Sequence, residues 1–300
     1  MAAIVESIHR MMYDAYCFAF SDKMILNVKS MNTIPNKVNL HYWDSSVVNA
    51  GEFPNNLGDD LSRIIVEFML QRNSHSLEDE ISSKIKHLYA VGSIINMGYQ
   101  NATIWGSGFL EHLTTKDMLI QHWPLRKLDV RCVRGPKTRE ILLHLGYKCP
   151  EVYGDPALLM PLLFTPVADV TQDYIIIPHF RKEEEYREKY SDKSIQTMVT
   201  NDYKGVISRM CSSRKVISSS LHGIILAETF NVPAIWLRDR DSVKDFKYYD
   251  YYYSTKRKNV QFARSVEEAI EMNPMPLPNN LDILRDGLIN SFPYDLWDKR

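Results

Sequence analysis

VISSSLHGIILAETFNVPAIW, residues 216–236, decides the fold class. A short apolar run ends in three serines, His222 and Gly223 follow, helical spacing comes next, and Val232 to Trp236 form a second apolar run. This reads as strand, turn, helix, strand. Two strands joined through a helix pair in parallel, and a parallel sheet needs helices on both faces. His222 therefore falls where a strand hands over to a helix, and ligands of open α/β sheets bind beyond such carboxyl ends.

The same alternation extends along the chain. Residues 37–43, 88–94, 102–108, 128–135 and 149–153 give strand patterns, with helical spacing at 61–72 and 136–146. The second of these helices has Pro136 in its first turn and Gly146 just past its end, as helix termini favour. FTPVADVTQ (164–172) reads as a linker. After it the pattern restarts with 173–180, 195–199, a helix near 203–214 and the opening stretch, and 281–297 reads as a closing helix. The expected fold class is α/β, two Rossmann-like domains facing a cleft. The expected division is an N-terminal extension (1–37), an N-terminal domain (38–168) and a C-terminal domain (169–300).

The chain has 300 residues, with 36 Lys and Arg against 37 Asp and Glu. A net charge of −1 gives no basic field, which argues against a general nucleic-acid binder. Cys17, Cys132, Cys149 and Cys211 match no zinc spacing and read as reduced thiols of a cytoplasmic protein. The start, MAAIVESIHRMMYDAYCFAF, is broken by Glu6, His9, Arg10 and Asp14. It reads as an amphipathic helix packed on the body and not as a signal peptide.

Each strand end offers glycines and polar groups. They are Asn55, Gly58 and Asp59; Gly92 and Ser93; Gly106, Ser107 and Gly108; Arg134; Gly154 and Asp155; His179; and Ser218, Ser219, Ser220, His222 and Gly223. VRGPKTRE (133–140) puts Lys137 and Arg139 near a helix N-terminus, with Arg134 just before it. Cations there oppose the helix dipole, unless a bound anion draws amides and cations together. In NNLGDDLS (55–62), Asp59 is either a helix cap or a hydroxyl-binding base. GSGF (106–109) lacks the third glycine and the acidic partner of a dinucleotide fingerprint, so no NAD is expected. RDRD (238–241) has an Asp-x-Asp spacing that its arginines neutralise, and no metal is expected. YYDYYYSTKRK (248–258) reads as a loop whose rings pack on the body, or as a sugar-stacking or membrane-surface patch.

Taken in order, the N-x-x-G-D at 55–59, the glycine-ended strand at 102–108, VRGPKTRE, YGDPALLMP (153–161), IPH (177–179) and SSSLHGIILAETFNVPAIW resemble the polysaccharide pyruvyl transferases. The resemblance covers about residues 38–255 and says nothing of the first 37. It implies a GT-B-like fold and transfer of a pyruvyl unit from phosphoenolpyruvate, as co-substrate without a cofactor, to a sugar of a polysaccharide or lipid-linked oligosaccharide. The product would be a pyruvate ketal. The setting would be cytoplasmic, with peripheral membrane contact through 248–258. On this reading His222, Asp59 and Asp155 are catalytic. Arg134, Lys137, Ser219, Ser220, Gly223 and His179 bind the donor. Asn55, Gly58, Ser107 and Glu228 serve acceptor or secondary binding. A GT-B glycosyltransferase using a nucleotide sugar and a non-enzymatic glycan-binding protein are the alternatives.

Overall fold

The computed structural model describes residues 8, 11–12, 34–42, 56–81, 85–97, 100–110, 126–190, 194–238 and 245–298. Asn55, the Asp239 and Asp241 pair and nearly all of the N-terminal segment lie outside these residues.

Two parallel sheets form. The first runs β1 (Val38–His41), β2 (Lys86–Tyr89), β3 (Ala102–Trp105), β4 (Leu128–Cys132) in spatial order, and a parallel bridge from Val133 to Tyr153 extends it. The second holds β5 (Gln172–Ile177), β6 (Ser213–Ser218) and β7 (Ala234–Trp236). Ile176 of β5 also bridges to Ile195, on the edge away from β6, while Leu237 bridges to Ala263 beyond β7. Chain order therefore reverses between β5 and β6. A doubly wound sheet opens a crevice at such a reversal. Here it lies between Ile177 and Ser218, where the sequence runs on to His179 and His222.

Helices cover the sheets as their stripes dictate. In α1 (Leu57–Gln71), Leu57, Leu61, Ile65 and Met69 are buried at four-residue spacing, one apolar face of a helix. Asn56 caps it through its side chain, which accepts from Gly58 N at 3.2 Å. The next helices are α2 (Pro136–His144), α3 (Glu183–Lys189) and α4 (Tyr203–Cys211). Helix α5 (Leu221–Thr229) is apolar nearly all round and buried over almost its whole length. It packs against the 3₁₀ segment Pro156–Leu162, which also packs on α1, so buried residues of both sheets join in one core.

The stretch 248–258 differs from the loop expected of it. Residues Phe246–Ser254 form a helix, α6, with Tyr248, Tyr251 and Tyr252 buried at helical spacing. Tyr248 stacks on Trp236 at 4.5 Å between centroids. Most of the rings proposed for sugar stacking or a membrane surface are thus spent on the core, and burial outweighs exposure for so much aromatic area. Helices α7 (Val266–Glu271) and α8 (Leu281–Asn290) follow. The first sheet draws on residues up to Tyr153 and the second begins at Gln172, but the C-terminal segment crosses back to the first one. Trp105 Nε1 donates to Leu288 O at 2.9 Å, and Lys86 Nζ to Leu296 O at 2.7 Å. No helix among the described residues is long and apolar enough to cross a membrane.

Candidate active site at the junction of the two sheets

The serine turn after β6 is held from three sides. Ser219 N donates to Ile177 O at 3.0 Å, and Ser219 Oγ accepts from His179 N at 2.8 Å, which ties the ends of β5 and β6 together. Tyr248 Oη donates to Ser219 O at 2.7 Å. Ser220 N donates to Ser218 Oγ at 3.0 Å. Helix α5 starts on this turn and carries His222 in its first turn. Gly223 lets the helix sit close, because a Cβ there would lie 2.4 Å from Ser218 Oγ.

His222 reaches across to elements of the first sheet. Its Nε2 lies 3.7 Å from Asp155 Oδ2, and the Asp155 side chain is fully buried. Asp155 Oδ1 is used as a cap and accepts from Ala157 N at 3.0 Å. Neither Asp155 Oδ2 nor His222 Nε2 has a hydrogen-bond partner among the described residues. Buried polar atoms are almost always paired, and such orphans mark a place where a bound group completes the set. The other edge of the ring rests on Gly58, where a Cβ would come within 2.3 Å of His222 Nδ1. Gly58→Ala is therefore expected to displace the ring, and displacements near 1 Å cost about 100-fold in rate. Turnover and urea unfolding of this variant would check it; wild-type turnover would show that the ring is free to shift.

Asp59 stands beside Gly58, half-buried, with Oδ2 accepting from Asn56 Nδ2 at 2.9 Å. Burial pushes its carboxyl up to about 6, against the opposing pull of His222, Asn56 and Lys247. Because the folded value exceeds the unfolded one, the protonated form is favoured by folding. That contribution is complete below about pH 4 and is lost as pH rises through 6. Asp59→Asn should then stabilise the protein by roughly 1–2 kcal/mol at pH 8, after discounting for solvent. The gain should shrink as pH falls from 6 toward 4. Urea midpoints at several pH values measure this, and a gain independent of pH would contradict it.

Several expected site residues have other work. Arg134 is buried, its side chain 1% exposed, and pairs with Asp250 of α6 through Nε at 3.1 Å. Its Nη1 donates to Ser93 Oγ at 2.7 Å and its Nη2 to Phe109 O at 2.6 Å. Asp250 also accepts from Thr138 N and Oγ1 at 2.9 and 2.7 Å. In place of an open anion site, the VRGPKTRE motif supplies a clamp on α6. Lys137 lies over the Phe246 and Tyr253 rings on the same interface. Ser107 Oγ donates to Gly92 O at 2.9 Å and braces a loop. Glu228 is buried in a two-bond ion pair with Arg257, at 2.6 and 2.7 Å, and accepts from Tyr251 Oη. His179 Nδ1 accepts from Arg181 N at 3.4 Å, so this residue caps a turn at the rim of the crevice. Lys247 had no sequence signal beyond its place in DFKYYD, yet its charge acts on Asp59.

The described site thus joins His222 of the second sheet to Gly58, Asp59 and Asp155 of the first. The sequence profile of the polysaccharide pyruvyl transferase family matches residues 27–242. Protein L143 of Acanthamoeba polyphaga mimivirus is 28% identical over 238 residues, 74% of this chain and 76% of that protein. The crystal structure of a functionally uncharacterised Klebsiella pneumoniae protein superposes with a TM-score of 0.50 at 15% identity, over 71% of this chain and 90% of that one. This last likeness concerns the α/β fold alone.

Proposed function

Because the chain belongs to the polysaccharide pyruvyl transferase family, whose members are transferases acting on polysaccharide, we propose that it takes its pyruvyl unit from phosphoenolpyruvate at the His222 cluster. One observation carries the assignment of the site. Asp155 Oδ2 and His222 Nε2 converge from the two sheets, 3.7 Å apart, and both lack hydrogen-bond partners among the described residues.

The reaction balances as follows. A proton goes to the methylene carbon of the enol phosphate. One sugar hydroxyl adds to the neighbouring carbon, and a second displaces inorganic phosphate, leaving a ketal. Of the two hydroxyl protons released, one replaces the proton delivered and the other leaves with phosphate. An imidazole can deliver that proton as a general acid. His222 is the proton donor in this reading, and Asp155 holds the ring in orientation. Asp59, with its raised affinity for protons, accepts the hydroxyl proton. The amides at the start of α5 and the Lys247 ammonium face the donor's negative groups. The two sheets then act as the GT-B-like halves of a cleft, donor side at β5 and β6, acceptor side at α1. The acceptor is a growing or lipid-linked saccharide.

The test is inorganic phosphate release from phosphoenolpyruvate with a panel of saccharide acceptors, alongside thermal shifts with phosphoenolpyruvate and with UDP- and GDP-sugars. Acceptor-dependent phosphate release supports the reading. Stabilisation by a nucleotide sugar alone would replace it with glycosyl transfer.

A further inference from the structure

The face of the second sheet opposite α5 is covered by α3 and α7, and between these helices lies a cavity of about 290 Å³. This is at the small end of the roughly 300–1,000 Å³ typical of small-molecule sites. Its floor is Leu237 and Val266. One wall carries Tyr186 and Tyr190, their ring centroids 5.7 Å apart. Lys182, Lys189, Arg238 and Arg264 also line it, against one carboxylate, Glu185. Three further carboxylates among the described residues stand behind the lining: Asp245 paired with Arg238, Glu267 accepting from Tyr190 Oη at 2.9 Å, and Glu268 accepting from Arg264 N at 2.7 Å.

The arginines are fixed by a shared ring. The Cζ of Arg238 lies 4.7 Å and that of Arg264 lies 5.5 Å from the centre of Phe262. Arg264 makes no ion pair among the described residues. A guanidinium stacked by its face keeps its edge of N–H donors for forked contact with a carboxylate or phosphate. Tyrosine rings offer apolar faces with hydroxyl tips, the surface that a sugar ring matches. Lys182, in the lining, lies three residues after His179 and is tied to it by a turn in which Lys182 N donates to His179 O at 2.8 Å.

We propose that this cavity binds an anionic sugar unit of the acceptor, a uronate or a phosphorylated sugar, away from the hydroxyls that react. The inference rests on the reading of the chain as a transferase acting on saccharides and names the kind of saccharide. Calorimetry on the full chain at low salt would compare a galacturonate pentasaccharide, a neutral laminaripentaose and inorganic pyrophosphate. The acidic saccharide is expected to bind at least 10-fold more tightly than the neutral one. Arg264→Glu combined with Lys189→Glu should remove that difference and leave the melting temperature and phosphoenolpyruvate affinity unchanged. Competition by pyrophosphate identifies a phosphorylated sugar, and its failure to compete identifies a uronate. Equal affinity for acidic and neutral saccharides, or acidic binding unaffected by the double variant, overturns the proposal. Failure of phosphate release with every acceptor would remove the transfer reading and leave the binding result in place.

Discussion

Arg134→Ala is expected to destabilise the protein by about 3–5 kcal/mol, the usual cost of stripping one partner from a buried ion pair. The pair has 1% and 0% side-chain exposure, so water cannot take over the lost contacts. Asp250 would keep its bonds to Thr138 but carry an uncompensated charge. Ser93 Oγ and Phe109 O would lose their donors as well. Gly135 shows how close the elements are, because a Cβ there would lie 2.0 Å from Asp250 O. In urea the midpoint should fall by about 1 M or more, given slopes near 3 kcal/mol/M for a large chain. The residual folded protein should also bind donor weakly, because α6 carries Lys247, whose charge acts on Asp59, and holds the serine turn through the Tyr248 hydroxyl. An unchanged midpoint with weakened donor affinity would return Arg134 to the role of direct anion contact.

His222→Ala is expected to cut turnover by about 10²–10⁴-fold, the range of a lost general acid. Stability should fall by roughly 1–2 kcal/mol, since the side chain is mostly buried, at 14% exposure, but its Nε2 makes no hydrogen bond among the described residues. Circular dichroism and urea unfolding verify the fold, and phosphate release from phosphoenolpyruvate measures the loss. Asp155→Asn should lower turnover less and shift the pH profile, because in the proposed reading Asp155 orients the His222 ring. Turnover like the wild type in folded His222→Ala would move the chemistry away from this cluster.

Much of the fold was legible because strands buried on both faces must be apolar. Ala102–Trp105 and Ile175–Ile177 can be recognised on that basis alone, and Pro136 and Gly146 bracket their helix. Helix α6 was not legible. Its buried face is made of tyrosines, whose hydroxyls weaken any apolar periodicity, and only Trp236 and the serine turn make the rings core residues. Asp59, Asp155 and His222 could be named because strand ends carry ligands. Arg134 and Glu228 misled for one shared reason. A buried ion pair and a ligand-binding charge look alike until the partner is known, and Asp250 and Arg257 stand 116 and 29 residues away.

By itself the sequence determined the alternation of strand and helix, and hence parallel sheets with His222 at a strand end, because hydrophobic period and turn chemistry are local. The tertiary structure alone decided which charges are spent in the core, and it left Asp155 Oδ2 and His222 Nε2 facing each other without hydrogen-bond partners among the described residues. It seated His222 on Gly58 and turned it toward Asp155, through contacts between segments far apart in the chain. Whether a charged atom finds a partner depends on such contacts, and no local pattern encodes them.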